Sequence, residues 1–558
     1  MDSWLYDETK PFIHIEAGGT FDELKKNARN GYFEKLIKEY LLDNNHKSII
    51  SLVPEYGLEK EKEQKEADKL AEYKSTLTND ELEELVKKTK ELKEYQDTPS
   101  SQEDLEKIPM LELSDIKREP AKDYNDVKSV DGIKIVHHNI FTNKIAYINM
   151  SFDTKCVPDE LIPYMGLLGS TLSLMDTKNY TYPELTNEIN INCGTALYSD
   201  KVDFSKNTIV YEVKSKALYE KVPFVLGMME EIMYNTRFDD YKRLKEIIAR
   251  IKSRLEASLM GQGHSIAMLE CCAQFSESAY YSDILRGYKY YEFIKKLDEE
   301  FEQNKTQIVD KLNKLVGYIF NKDNVIVSLT ADDEGYDCFV KALSAKSCNI
   351  KDEHYNTAVR SFIPVNVKTG YTSASQVQYV ARCGNFVKDG YKYTGALKVL
   401  KVIFSYDYLW INVRVKGGAY GCMSGSSRNG DFYMVSYRDP NLEKTNDIYE
   451  GAADYIRNFD VSRRDMVKFI IGTIGEIDAP LTPSAIGSRS FTHYMCNCTE
   501  DMLRKDREEV LDATVESIRE LAPLIESAVV QNYLCVVGNQ KQINEAADLF
   551  DEIKPLIG

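Results

Sequence analysis

Residues 324–327 read Asn324-Val325-Ile326-Val327, and residues 532–535 read Asn532-Tyr533-Leu534-Cys535. Each is a short apolar run behind a long helical stretch and ahead of a closing helix, so both read as buried strands. A second matched pair stands upstream. Phe238-Asp239-Asp240 and Phe459-Asp460-Val461 each precede a helix. The offset is roughly 210–230 residues, which marks an internal duplication.

Working outward from the first run, Gly132–His138 and Ile145–Asp153 alternate as strands around a turn at Thr142-Asn143. A helical stretch covers Leu161–Met175, and Ala196–Asp203 pairs with Asn207–Lys214. Long helices follow over Ala217–Tyr234 and Asp239–Leu259, broken at Gly261-Gln262-Gly263. Around the second run the order recurs. Gln376–Cys383 is a strand and Tyr393–Leu409 a helix. Tyr420–Ser424 and Phe432–Tyr437 pair as strands, and Leu442–Arg457 and Ser462–Ile474 are helices. The fold class is therefore α+β, with two homologous domains, 121–350 and 351–558, whose antiparallel sheets are covered by helices.

Residues 56–120 form a charged helical hairpin and linker, punctuated by Pro99 and Pro120. Thr78-Asn79-Asp80-Glu81 starts its second helix as a capping box. Residues 1–55 read as the tail of an incomplete preceding α+β domain. Thr20-Phe21-Asp22-Glu23 predicts a capping-box start, and Tyr32, Phe33, Leu36, Ile37, Tyr40 and Leu41 have helical spacing. Ser48–Val53 predicts a strand ended by Pro54.

The 558 residues carry a formal net charge of -18. That argues against a nucleic-acid partner and against an anionic membrane surface. No apolar run of about 18 residues exists, so no membrane span is expected. The start Met1-Asp2-Ser3-Trp4 has no signal-peptide pattern. Eleven cysteines, an odd count, point to reduced thiols in the cytoplasm. Cys496 and Cys498 form a C-x-C pair with too few neighbouring ligands for zinc, and read as core packing. None of the seven histidines stands in an H-x-x-E-H or H-E-x-x-H spacing. His137 and His138 are adjacent on a strand and point to opposite faces, one to the surface and one to the core. His264 reads as a capping or packing residue.

The chemically suggestive stretch is Arg414-Val415-Lys416-Gly417-Gly418-Ala419-Tyr420-Gly421. It places a fixed cation and a phenol across a glycine turn at a helix-to-strand junction. The glycines permit positive φ and close approach of a ligand backbone. Arg414 offers donors to a carbonyl or carboxylate, and Tyr420 offers one to a developing oxyanion. From spacing alone, a buried ion pair beside a core tyrosine fits equally well.

Together with Ser436-Tyr437-Arg438-Asp439-Pro440-Asn441-Leu442, Ile471-Gly472-Thr473-Ile474-Gly475 and Gly261-Gln262-Gly263-His264-Ser265-Ile266-Ala267, that stretch resembles the presequence protease branch of the insulinase/pitrilysin-type zinc metallopeptidases. The resemblance runs through nearly the whole chain. It implies a carboxy-terminal half with its hairpin linker, closing like a clamshell on an amino-terminal half that holds zinc through H-x-x-E-H. No metal site is then expected in this chain, and zinc belongs to the complementary half. The implied partners are that half and unstructured peptide substrates. Arg414, with Gly417 and Gly418, would bind the substrate main chain, and Tyr420 would stabilise the tetrahedral oxyanion. Such a chain is inactive alone. The alternative is a non-catalytic peptide-binding or scaffold subunit of a two-chain peptidase.

Overall fold

A computed structural model describes residues 2–53, 55, 57–98, 100–203, 208–346 and 349–557. They form two compact units, Met1–Pro109 and Met110–Gly558. Pro54, Pro99 and Asn207, named in the expectations above, lie outside the described residues.

In the first unit the helix Ala17–Ala28 is already under way before Thr20, with Glu16 at its N-cap and no side-chain cap. The capping box expected at Thr20–Glu23 is not formed. Tyr32–Leu36 runs on into wider π-helical turns at Ile37–Leu42. Ser48–Val53 is not a strand. A strand needs a ladder partner, and the described residues of this unit contain no other strand. The hairpin is formed as expected by helices α1 (Leu58–Thr76) and α2 (Asn79–Asp97). The Thr78 N–H donates to Glu81 Oε2 at 2.8 Å, and the Glu81 N–H donates to Thr78 Oγ1 at 3.3 Å. These bonds, from the Thr78 backbone first and its hydroxyl second, hold the Glu81 carboxyl below its ordinary range.

The second unit is α+β and contains two six-stranded sheets. The first is made of β1 (Asp126–Val130), β2 (Ile133–Asn139), β3 (Ile145–Asp153), β4 (Thr195–Asp203), β5 (Thr208–Leu218) and β6 (Val325–Ala331). Its order is β1-β2-β6-β3-β5-β4. The second is made of β7 (Thr369–Ser373), β8 (Tyr379–Asn385), β9 (Gly421–Ser426), β10 (Asp431–Tyr437), β11 (Tyr533–Asn539) and β12 (Glu552–Pro555). Its order is β12-β7-β11-β8-β10-β9.

The plans coincide strand for strand. In the first sheet β6-β3-β5-β4 is antiparallel and β2 joins β6 in parallel. In the second β11-β8-β10-β9 is antiparallel and β7 joins β11 in parallel. Only the outer edge differs, where β1 is antiparallel to β2 and β12 parallel to β7. The anticipated antiparallel sheets thus gain a parallel ladder. It forms because β6 and β11 return to the sheet after long helical crossovers. The runs at 325–327 and 533–535 occupy matching central strands.

Helices cover the sheets. The first half supplies α3 (Ile162–Thr171), α4 (Tyr241–Gly261), α5 (Gly263–Ala273) and α6 (Glu277–Arg286). A helix at Tyr182–Asn192, capped by Thr181 and Glu184, was not anticipated. The second half supplies α7 (Ala396–Ile403), α8 (Arg463–Ile477) and α9 (Pro483–Met495). Each sheet has its own apolar core, with Ile148, Phe152 and Leu312 in one and Leu400, Phe404 and Ile470 in the other. Each such buried side chain contributes about 1.5–3 kcal/mol.

The halves then exchange one helix each. Helix α5, from the first half, lies on β8, β10 and β11 of the second sheet. A third core forms there, with Ile266, Ala267 and Cys271 against Ala381, Cys535 and Val537. Helix α9, from the second half, lies on β6 and β2 of the first sheet. A glycine permits each crossing. A Cβ on Gly263 would overlap the Tyr379 ring, and one on Gly487 would overlap the Thr330 side chain.

The exchange corrects the reading of His137 and His138. Both are buried, at 1% and 0% exposure. His137 stacks on Tyr336 at 4.6 Å on one face. His138 faces Phe491 of α9 at 6.2 Å on the other, and its Nε2 lies 2.9 Å from Ser328 Oγ. Opposite faces were the right geometry, but each face has a cover. Burial, as the largest cause, pushes both imidazoles below the ordinary histidine range.

Candidate functional site

Helix α7 continues as two π-helical turns, Phe404–Tyr408 and Trp410–Val415. The wider turn carries Arg414 on its last residues, and π-turns inside helices are frequent at functional positions. The chain then reverses through Gly417 and Gly418. The two glycines serve different ends. Gly418 has φ +83°, the left-handed region that favours glycine. Gly417 has no positive φ, but a Cβ there would meet the Asn412 carbonyl at 2.9 Å. The turn is closed by the Gly418 N–H donating to the Arg414 carbonyl at 2.8 Å and by Asn441 Nδ2 donating to the Gly417 carbonyl at 2.6 Å. The Tyr420 N–H donates to the Arg438 carbonyl at 3.2 Å, which ties the turn to the end of β10. Strand β9, at the end of the sheet, follows at once.

The structure brings Arg414 and Tyr420 together. The half-buried guanidinium lies over the Trp410 ring at 3.8 Å and stands 6.0 Å from the Tyr420 ring centre. Among the described residues Arg414 has no carboxylate partner. Tyr420 is 68% exposed. The buried ion pair with a core tyrosine, left open by spacing alone, is not what is found. Tyr420 is held from behind by Tyr437, edge to face at 5.8 Å. Tyr437 in turn meets His264 of α5 at 4.9 Å and Tyr379 at 5.7 Å. The wall behind the pair is thus built from both halves of the duplication. His264 packs, as expected, and burial pushes its imidazole below the ordinary range.

Three side chains that spacing did not single out shape the site. Trp410 stands four residues before Arg414, the helical spacing that stacks side chains, so that signal was present. Tyr437 follows Ser436 in the recognised run. Asp439 is fully buried, and it accepts from the Asn441 N–H at 2.9 Å and Thr445 Oγ1 at 2.7 Å. Burial raises its carboxyl above the ordinary range against those bonds. Cys422, beside the site on β9, is pushed up to about 11 by burial, with Arg414 opposing. It is therefore a thiol at neutral pH and a poor nucleophile.

Two donors, one cationic and one neutral, therefore stand side by side at a sheet edge. Such a pair can hold a carbonyl oxygen and stabilise negative charge developing on it. The zinc implied by the resemblance is not fitted by this chain. Among the described residues no group of three or more His, Cys, Asp or Glu is placed to hold a metal ion. The ring nitrogens of His137 and His138 engage internal partners. Cys496 and Cys498 line a cavity of ≈ 410 Å³ beside Phe491 and His493. No helix among the described residues is long and apolar enough to cross a membrane.

Comparison with known proteins places the chain. Residues 52–297 match the family of domains associated with M16 peptidases of subfamily C, and residues 370–539 match "PreP C-terminal domain". Protein HypA of Clostridium perfringens is 39% identical over 100% of this chain and 58% of its own length. Presequence protease 1, chloroplastic/mitochondrial, of Arabidopsis thaliana is 29% identical over 100% of this chain and 53% of its own. The chain thus spans about half the length of these relatives. In fold it is similar to a peptidase M16 inactive domain from Pseudomonas fluorescens, with TM-score 0.53 and 13% identity over 77% of this chain and 98% of that one. A protease from Helicobacter pylori gives TM-score 0.55 and 11% identity over 74% and 99%. The chain belongs to the M16 peptidases, in the presequence-protease-like branch, and corresponds to the carboxy-terminal half of those proteins.

Proposed function

We infer that this chain supplies the substrate-gripping and oxyanion-stabilising side of a peptidase active site, whose zinc and general base reside in a complementary half. The observation that carries this is the pair itself. Arg414 is half-buried, stacked on Trp410 and without a carboxylate partner among the described residues, beside an exposed Tyr420. A cation left unpaired in a chain of net charge -18 costs stability unless a ligand uses it.

In this role the Arg414 guanidinium donates to a main-chain carbonyl of an extended peptide and fixes its register. Tyr420 donates its phenolic hydrogen to the oxygen of the same or the neighbouring carbonyl as negative charge gathers there. That donation gains strength when closure excludes water, and is worth about 3–4 kcal/mol. Gly417 and Gly418 let the peptide backbone come close. The substrates are unstructured peptides, because only an extended chain presents its carbonyls to such an edge. The proposed compartment is the cytoplasm, and the proposed divisions of the chain remain 1–55, 56–120, 121–350 and 351–558.

The test is reconstitution with a zinc-binding half and a quenched fluorescent peptide. Tyr420→Phe and Arg414→Ala should each lower kcat/KM about 10²–10³-fold. Both side chains stand at the surface, so the variants keep the fold. Unchanged cleavage by the two variants would overturn the proposal, as would robust chelator-sensitive cleavage by this chain alone.

A further inference from the structure

A second site stands among the helices of the first half. Helices α3, α4 and α6 and strand β4 enclose a cavity of ≈ 590 Å³. Three arginines line it: Arg250 and Arg254 of α4 and Arg286 at the end of α6. No carboxylate is among its described lining residues, in a chain of net charge -18. Arg250 and Arg254 are one helical turn apart on the same face of α4. Like charges at that spacing repel by a few tenths of a kcal/mol. Neither has an acidic partner among the described residues.

The inner wall adds a donor. Tyr198 lines the cavity and is 4% exposed, and its buried hydroxyl has no hydrogen-bond partner among the described residues. Burial raises its phenol far above the ordinary range, so the hydroxyl keeps its proton and can only donate or accept weakly. A buried, unpaired hydroxyl costs about 1–3 kcal/mol, which an oxyanion would recover. Ile251, Leu255 and Leu285 give the rest of the wall an apolar surface. The volume exceeds that needed for an inorganic ion and matches a small organic ligand.

We propose that this cavity binds a small organic dianion, its charge held by Arg250, Arg254 and Arg286, its oxygen by the Tyr198 hydroxyl, and its body by the apolar wall. Guanidinium forks pair with carboxylate and phosphate alike, so either group supplies the charge. The site is apart from Arg414 and Tyr420 and does not depend on the peptidase reading.

The experiment is calorimetric titration of the full chain with phenyl phosphate and, separately, with glutarate, alongside thermal unfolding with each. Arg250→Ala/Arg254→Ala and Tyr198→Phe are the variants. Arg250 and Arg254 are exposed, so their loss leaves the core intact. Expected is binding that weakens about tenfold or more in the double arginine variant and severalfold in Tyr198→Phe. It should also weaken as salt rises, and the unfolding temperature should increase with ligand. Tighter binding of phenyl phosphate assigns the phosphate source, and tighter binding of glutarate the carboxylate. Absence of binding by both at ~10 mM overturns the proposal, since a site this charged should hold at least one of them. Equal affinity in the wild-type chain and the double arginine variant overturns it too.

Discussion

Replacing Gly487 by alanine tests the helix exchange directly. Gly487 sits where α9 crosses β6, and an added Cβ would lie 2.8 Å from Thr330 Cγ2 and 2.9 Å from its Cβ, with Oγ1 closer still. Thr330 cannot step aside. It is 3% exposed, on a central strand paired on both sides, opposite His138 of β2 and Tyr147 of β3. Overpacking of this kind costs about 1–3 kcal/mol. Removing a glycine from a helix interior returns about 0.5–1 kcal/mol. The control is Gly475→Ala on α8, where an added Cβ meets nothing within 4 Å. It should collect the helix gain alone. The two variants should therefore differ by about 1–3 kcal/mol, read as the separation of their urea midpoints by circular dichroism. Adding Thr330→Ala to Gly487→Ala removes the nearest overlapping atoms and should recover at least half of the loss, a coupling that distant sites would not show. If both glycine variants gain stability equally, α9 does not cross β6 this closely, and the exchange is wrong.

Other perturbations have equally definite outcomes. Tyr437→Ala removes the ring behind Tyr420 and should lower kcat of the reconstituted peptidase more than it raises KM, while Tyr437→Phe keeps the ring and restores both. Glu270 of α5 is buried, accepts from Tyr371 Oη at 2.6 Å, and has its carboxyl raised well above the ordinary range by burial first and by the Asp283 charge second. A raised carboxyl favours the folded state below its unfolded pKa and loses that contribution as pH rises. Glu270→Gln, which copies the protonated form, should therefore stabilise the chain at pH 8 and leave it unchanged near pH 4 in matched denaturant titrations. A stabilisation equal at both pH values would refute the assignment. Thr78→Ala removes the cap of α2 and should cost about 1 kcal/mol, visible as loss of hairpin helicity at 222 nm.

The duplicated plan was legible because its central strands are continuous apolar runs, and Val325–Val327 and Tyr533–Cys535 announce themselves wherever a sheet is buried. The edges were not. Strand β7 reads Thr-Gly-Tyr-Thr-Ser and β1 reads Asp-Val-Lys-Ser-Val, sequences that become strands only because a neighbour offers a ladder. The converse holds for Ser48–Val53, which has the propensity but no ladder. The exchange of α5 and α9 left no periodic trace, since an amphipathic helix does not state which sheet it will meet. That gap explains the misreading of His137 and His138. At the candidate site the Arg-Gly-Gly-Tyr turn was plain from residue types. The ring behind Tyr420 was not, because Tyr437 and His264 reach it from different halves of the chain.

The exchange also sets an order of events on the ribosome. The second sheet grows beside a helix, α5, that has already been made. The first sheet has the reverse fate. Its central strand β6 is complete at Ala331, but the helix that closes one face ends at Met495. At roughly 5–20 residues per second, that face waits about 8–33 s for its cover. Over that interval it is a surface that chaperones can hold and that a neighbouring nascent chain can capture.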